Sequence, residues 1–278
     1  MKALGNLAYL SFLCIALLSC EQSETNPDNI GDQELQSSEG EIAIAAIFED
    51  VDDVAYYSAL EDEGSRVSED DDNPIRCAAR IVNVSEKTIV VDFGEGCIDK
   101  WGKHRMGKII LRFSDRKFVP GAVHTITFED YYVDSVKVEG LRTKKNISRD
   151  KNEFKFEVTL EDGKLTWPDG TFVTRDSKLI KTRNTQVRPV DSELHIDGYA
   201  YGINKMGLVY RMNITKTLVF KRMCSKMRPI IPVEGTKVIK VEGKEDLIID
   251  YGNGECNNEV RLKRGRLTKV VHINRLRG

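Results

Sequence analysis

The sequence predicts an all-β protein, an antiparallel β-sandwich or partly closed barrel built as a meander, with one acidic amphipathic helix before it. Three observations carry this expectation. From Ile75 onward apolar and polar residues alternate: Phe154, Phe156, Val158 and Leu160 share one parity, as do Ile109, Leu111 and Phe113, and Leu208, Tyr210, Met212 and Ile214. Turn signals separate these runs, "EDGK" at 161, "PDGT" at 168, "NKMG" at 204 and "VEGK" at 241. Helical spacing is concentrated in residues 39–63, where Ile44, Ile47, Phe48, Val51, Val54 and Ala55 form one stripe. Clean period-two alternation is the pattern of antiparallel strands with one face buried and one wet, and many short strands in succession suggest a meander. "TLVFKRM", 217–223, fits neither phase well.

The chain opens "MKALGNLAYLSFLCIALLSC". One charge, Lys2, precedes an apolar run from Leu7 to Leu18, too short for a stable membrane span and suited to a secretory signal over residues 1–19. Leu17-Leu18-Ser19-Cys20 resembles a bacterial lipobox, which implies acylation of Cys20, palmitate included, and anchoring by two or three chains. Residues 20–38 are polar and lack aromatics, as a flexible tether does. Glu21 and Glu24, just after the cysteine, resemble the surface-export signals of Bacteroidota lipoproteins.

Ser38 with Glu41 fits a capping box for the helix over 39–63. Its other face carries Glu49, Asp50, Asp52 and Asp53, and an acidic linker follows over 64–74. From Glu21 to Asn73 there are 18 acidic residues against one basic, Arg66; from Pro74 onward 40 basic residues stand against 26 acidic. So the near-neutral net charge of −2 hides an acidic segment on a basic body, residues 75–278. Either the acids are solvated or lie on the chain's own basic domain, or the body binds polyanions such as surface glycans or lipopolysaccharide.

Six cysteines reduce to four once Cys14 leaves with the signal and Cys20 takes lipid: Cys77, Cys97, Cys224 and Cys256. An exported chain with an even count implies disulfides, in one of three connectivities. Pairing Cys77 with Cys97 and Cys224 with Cys256 encloses one apparent strand each and ends at two echoing turns, "DFGEGC" (92–97) and "DYGNGEC" (250–256). The cysteines lack the CxxC spacing of a zinc site. The echoes suggest two related stapled units, "TIVVDFGEGC" leading to "GKIILRF" and "LIIDYGNGEC" leading to "RLTKVVHI". Asp92 and Asp250 are read first as turn caps on glycines that permit positive φ, and second as calcium ligands, although the spacing is not that of a calcium-binding loop.

Together, the lipobox, the two D-aromatic-G-x-G turns with their cysteines, and the stretches "GKIILRFSDRKFVPGAVHTITFEDYYVDSVKVEG" and "GKLTWPDGTFVTRDSKLIKTRN" resemble a family of Bacteroidota envelope lipoproteins of unknown function. The resemblance implies a lipid-anchored all-β protein of the outer membrane, on its periplasmic face or the cell surface. It implies no catalytic residue.

No motif calls for a cofactor. His104, His124, His195 and His272 form no metal-binding pattern, and no nucleophile elbow, P-loop or dinucleotide fingerprint occurs. The basic stretch 100–118 offers one binding candidate, Lys108 and Arg112 on one strand face with Trp101 as a stacking platform for anionic glycan; its alternative is a solvated face. Asp134-Ser135-Val136 resembles an O-glycosylation acceptor of Bacteroidota. The partners expected are a membrane reached through lipid and either an anionic glycan or another envelope protein, but not nucleic acid. Three functions follow: a non-catalytic surface binding or structural module, a carrier with a lipid or hydrophobic ligand in a β cavity, and a glycan-active enzyme with two carboxylates across a cleft.

Overall fold

The structure is a computed structural model that describes residues 32–60, 74–99, 102–116, 119–149, 153–184, 191–224 and 231–273. The signal, Cys20, most of the tether and the linker up to Asn73 lie outside the described residues. One helix, α1 (Asp32–Leu60), precedes fourteen strands: β1 (Ala79–Asn83), β2 (Thr88–Asp92), β3 (Cys97–Ile98), β4 (His104–Phe113), β5 (Val123–Val133), β6 (Val136–Asn146), β7 (Glu153–Thr166), β8 (Phe172–Asn184), β9 (Glu193–Ile203), β10 (Val209–Lys221), β11 (Glu234–Val241), β12 (Leu247–Asn253), β13 (Glu259–Arg264) and β14 (Leu267–His272). They form one antiparallel sheet in sequence order, β1 and β14 at its ends, with β3 a short side partner of β4. The sheet is a meander that does not close into a barrel.

The helix explains how so large a sheet is covered. From Gly40 to Ala59 no residue of α1 is exposed. A helix enclosed on every side must be apolar or paired all round, and this one meets both halves of the sheet. Ile44, Ile47, Phe48, Val51 and Val54 pack with Ile89, Ile109, Leu111, Ile126 and Leu160. Ile42 joins a second core with Leu179, Ile196, Met212, Ile249 and Leu262. The chain therefore bends its sheet around its own N-terminal helix. Gly40 permits one close approach: a Cβ there would sit 3.0 Å from Val173 on β8.

Bulges supply the bending. Register slips interrupt the pairings of β4 with β5, β6 with β7, β7 with β8, β9 with β10 and β10 with β11. At the first of these, Gly107 has φ +78 and an added Cβ would lie 1.9 Å from the Asp130 carbonyl, so only glycine fits.

Most expected phases hold: Val158, Leu160, Ile109, Leu111, Tyr210 and Met212 are buried. One exception is Leu208, exposed in the turn before β10, and others sit at the bulges. "EDGK" at 161 is a bulge inside β7, where Asp162 takes φ 51 and the register slips between Leu160 and Gly163, rather than a turn. "TLVFKRM" has no clean phase because the slip after Asn213 leaves both Leu218 and Val219 buried. One correction concerns the helix. It begins at Asp32, inside the segment expected to be a tether, so Ser38 and Glu41 lie within it and form no capping box. Of the two readings of its acids, the one that lays them on the chain's own basic domain holds for Glu41, Glu49, Asp50 and Asp52.

Both staples form as expected, Cys77 to Cys97 with Cα atoms 5.9 Å apart and Cys224 to Cys256 at 5.4 Å. Each encloses two strands rather than one: β1 and β2, then β11 and β12. The echo holds one strand deeper than its text. Asp92 of β2 stands opposite Lys108 of β4, and Asp250 of β12 opposite Arg261 of β13, not opposite the "RLTKVVHI" strand.

Candidate functional site

Strands that line a core normally turn only apolar side chains inward. Here β4, β6, β8 and β11 also turn in Arg105, Arg142, Arg175, Lys181 and Lys237, each at most 4 % exposed. A charge buried to that degree needs a partner, and α1 provides one for each. Asp50 takes both terminal nitrogens of Arg105, Nη1 to Oδ2 at 2.6 Å and Nη2 to Oδ1 at 2.8 Å, with Lys103 Nζ at 2.7 Å. Arg105 also donates to the Tyr131 hydroxyl at 2.7 Å. Asp52 accepts from Arg142 Nε at 3.1 Å and Nη2 at 2.8 Å, and from Lys181 at 2.6 Å, with Lys144 at 3.5 Å. Glu49 accepts twice from Lys181 at 2.7 Å. Glu41 pairs with Arg175 and, at 3.2 Å, with Lys237.

Burial alone would raise these carboxyl groups. The cations outweigh it, so Glu41, Asp50 and Asp52 all lie below the ordinary carboxylate range. Burial first, and the nearby Asp50 carboxylate with it, pushes the Tyr131 phenol up to about 12. Burial and the neighbouring Lys181 and Arg142 lower Lys144 despite Asp52 beside it. A glycosidase acid needs a carboxyl held protonated near neutrality. Glu41, Asp50 and Asp52 are pushed the other way by their ion pairs.

Beside this network lies an apolar cleft of about 50 Å³. Ala45 and Ala46 leave it, because two methyl groups face Met212, Ile214, Leu218 and Phe220 where longer side chains would fill the gap. Its polar lining is Glu49, Arg142, Arg175, Lys237 and Tyr251. Residues of α1 from Ile42 to Glu49 form one wall of this cleft, and β6 and β8–β12 supply much of the rest.

The residues singled out from sequence fall elsewhere. Asp92 Oδ1 accepts from the Gly94 N–H at 2.8 Å and Asp250 Oδ1 from the Gly252 N–H at 3.0 Å, with Gly94 at φ 59 and Gly252 at φ 88. Lysines stand near both carboxylates, Lys108 at 3.9 Å and Lys263 at 3.0 Å. Among the described residues no group of three or more His, Cys, Asp or Glu side chains could hold a metal ion. The echo's aromatics do more than its acids: Phe93 and Tyr251 turn inward, 5.8 Å from the Arg105 guanidinium and 5.6 Å from the Lys237 ammonium. Lys108 and Arg112 lie on the outer face of β4, Lys108 also 3.8 Å from Glu129, and Trp101 lies outside the described residues. Asp134 and Ser135 form an exposed hairpin tip, both at positive φ.

On the convex side, Tyr199 and Tyr201 of β9 are about half exposed, at 47 % and 50 %. Lys178 of β8 stands opposite Tyr199, Arg211 of β10 opposite Tyr201, and Lys240 of β11 opposite Arg211. Sequence reading missed this cluster and the inward cations. The first was legible as two tyrosines at strand spacing, the second as Arg and Lys in the apolar phase, as in Val173, Arg175, Leu179 and Lys181. No family model matches the chain, and neither the curated proteins nor the solved structures searched include one significantly similar to it.

Proposed function

We propose that the chain is a lipid-anchored protein of the outer envelope and acts as a non-catalytic binding module for an anionic glycan on its convex sheet face. The observation that carries this reading is the cluster of Tyr199 and Tyr201 with Lys178, Arg211 and Lys240 across neighbouring strands. Successive same-face residues on a strand lie roughly 7 Å apart. Two half-exposed tyrosines at that spacing form an amphipathic platform for the apolar faces of sugar rings, and Arg211, with Lys178 and Lys240 in exchange for their surface partners Glu157 and Asp246, suits carboxylate or sulfate groups. The anchor follows from the lipobox-like Leu17 to Cys20, since two or three acyl chains hold a protein to a membrane stably.

Two measurements test it. Titrating acidic polysaccharide from the outer membrane into the mature chain with Cys20→Ser should give binding that weakens with salt. The pair Tyr199→Ala and Tyr201→Ala should abolish it without changing the circular dichroism; retained binding refutes the platform. In cells, Cys20→Ala should release the protein from membranes, and continued retention refutes the anchor.

A further inference from the structure

The second face of the sheet carries its own unused chemistry. Around the cleft between α1 and β8–β12, five cations (Arg142, Lys144, Arg175, Lys181 and Lys237) face three carboxylates (Glu41, Glu49 and Asp52). Arg183 and Asp53, which lie close enough to interact, add one charge of each sign. Each cation has a carboxylate beside it, but cations outnumber carboxylates by two among these groups. Arg175 also repels both Arg142 and Lys237, and all three line the cleft together with Glu49. One potential donor of the same region lacks a protein partner, the Ser177 hydroxyl on β8 between Arg175 and Leu179, only 6 % exposed. The apolar walls include Leu179, Ile196, Met212, Ile214, Leu218 and Phe220.

We infer that this cleft binds a single-chain amphiphile with an anionic head, the head lodged among Arg142, Arg175 and Lys237 and the chain lying between Ala45 and Ala46 of α1 and the apolar side chains of β8–β10. The head would offset the surplus charge and relieve the mutual repulsion of the three cations. The chain would fill space that the two alanines leave empty. At about 50 Å³ the cleft holds only a few water-sized probes, so the chain enters as unbranched and aromatic side chains on its floor turn aside. Met212, with three rotatable bonds, and the half-buried Phe220 and Ile214 are the ones placed to do so.

The test uses the mature chain with Cys20→Ser and three probes below their micelle concentrations: dodecanoate, octanoate and dodecyltrimethylammonium. Calorimetric titration should show dodecanoate binding at least tenfold tighter than either of the others, the first comparison reading the chain and the second the charge. Ala46→Leu, which fills the cleft with a good helix former, should weaken dodecanoate at least tenfold. Equal binding of the cationic probe, no binding of dodecanoate, or binding that Ala46→Leu leaves unchanged would each overturn the site. Should Ala46→Leu fail to fold, the comparison of probes on the unsubstituted chain decides. Glycan binding through Tyr199 and Tyr201 should be indifferent to Ala46→Leu, so the two readings fail separately.

Discussion

Asp52→Asn removes one charge from the centre of the ion network and changes almost nothing in shape. The Asp52 side chain is 7 % exposed and carries two bonds from Arg142, one from Lys181 and a longer contact to Lys144. An amide retains one acceptor oxygen but no charge, so three buried cations lose their main counter-ion. Breaking a buried pair in this way costs about 3–5 kcal/mol. Glu49 still reaches Lys181 at 2.7 Å and Arg142 at 3.5 Å, which points to the lower end. At roughly 2–4 °C per kcal/mol for a chain of this size, a loss of about 3 kcal/mol lowers Tm by about 6–12 °C. Thermal and urea unfolding of the mature chain with Cys20→Ser, followed by circular dichroism, measures it. Asp246→Asn is the control: its pair with Lys240 spans 3.1 Å but both side chains are about half exposed, so Tm should not move measurably. If both substitutions shift Tm equally, the buried network is not what holds α1 in the sheet.

Acid should unlock the same network. Glu41, Asp50 and Asp52 titrate below their ordinary values of 4.5, 3.8 and 3.8, so the stability they confer is complete above those values and is lost as pH falls through the lower folded ones. Tm should be level from pH 7 to 5 and fall steeply below about 4; a flat profile to pH 2.5 would contradict the pairing. In alkali the sign reverses for Tyr131, whose proton is held up to about 12, so its contribution is present below pH 10 and lost as pH rises toward 12. The ultraviolet titration of the wild type minus that of Tyr131→Phe should show one phenol ionising well after the others, and a difference centred at pH 10 would refute its burial against Arg105. Removing the staples with Cys77→Ser and Cys97→Ser, or Cys224→Ser and Cys256→Ser, opens loops of 20 and 32 residues and should cost about 3 and 4 kcal/mol in the chain-entropy account. Urea unfolding reads both losses; no change, or a free thiol in the unreduced wild type, would count against them.

The sheet was legible because period-two alternation is local and strong, and the staples because both echoes end in cysteine. The turn at 168 is read correctly while "EDGK" at 161 is not, since Asp-Gly serves a hairpin tip and a bulge equally well and only the partner strand distinguishes them. The choice between solvated acids and acids laid on the basic domain stayed open for a related reason. A helical wheel shows which residues share a face but not what lies opposite, and the opposing charges come from four strands up to 196 positions away. The charge split between the two parts of the chain held that information in bulk. What it lacked was the phase of Arg105, Arg142, Arg175 and Lys237, each of which occupies an inward position where an apolar residue is the norm.

Because α1 lies at the middle of the sheet, the chain assembles around its own beginning. The helix is complete when residue 60 exists, yet Glu41 waits for Lys237, and Glu49 for Lys181. Contacts so distant in sequence are slow to form, because loop entropy is spent before they reward it. For most of the chain's emergence an acidic, apolar helix and a basic, half-built sheet coexist without their final partner. The charge division in the sequence thus coincides with the structural one: the acidic part is the helix, and the basic part supplies the strands that come to hold it.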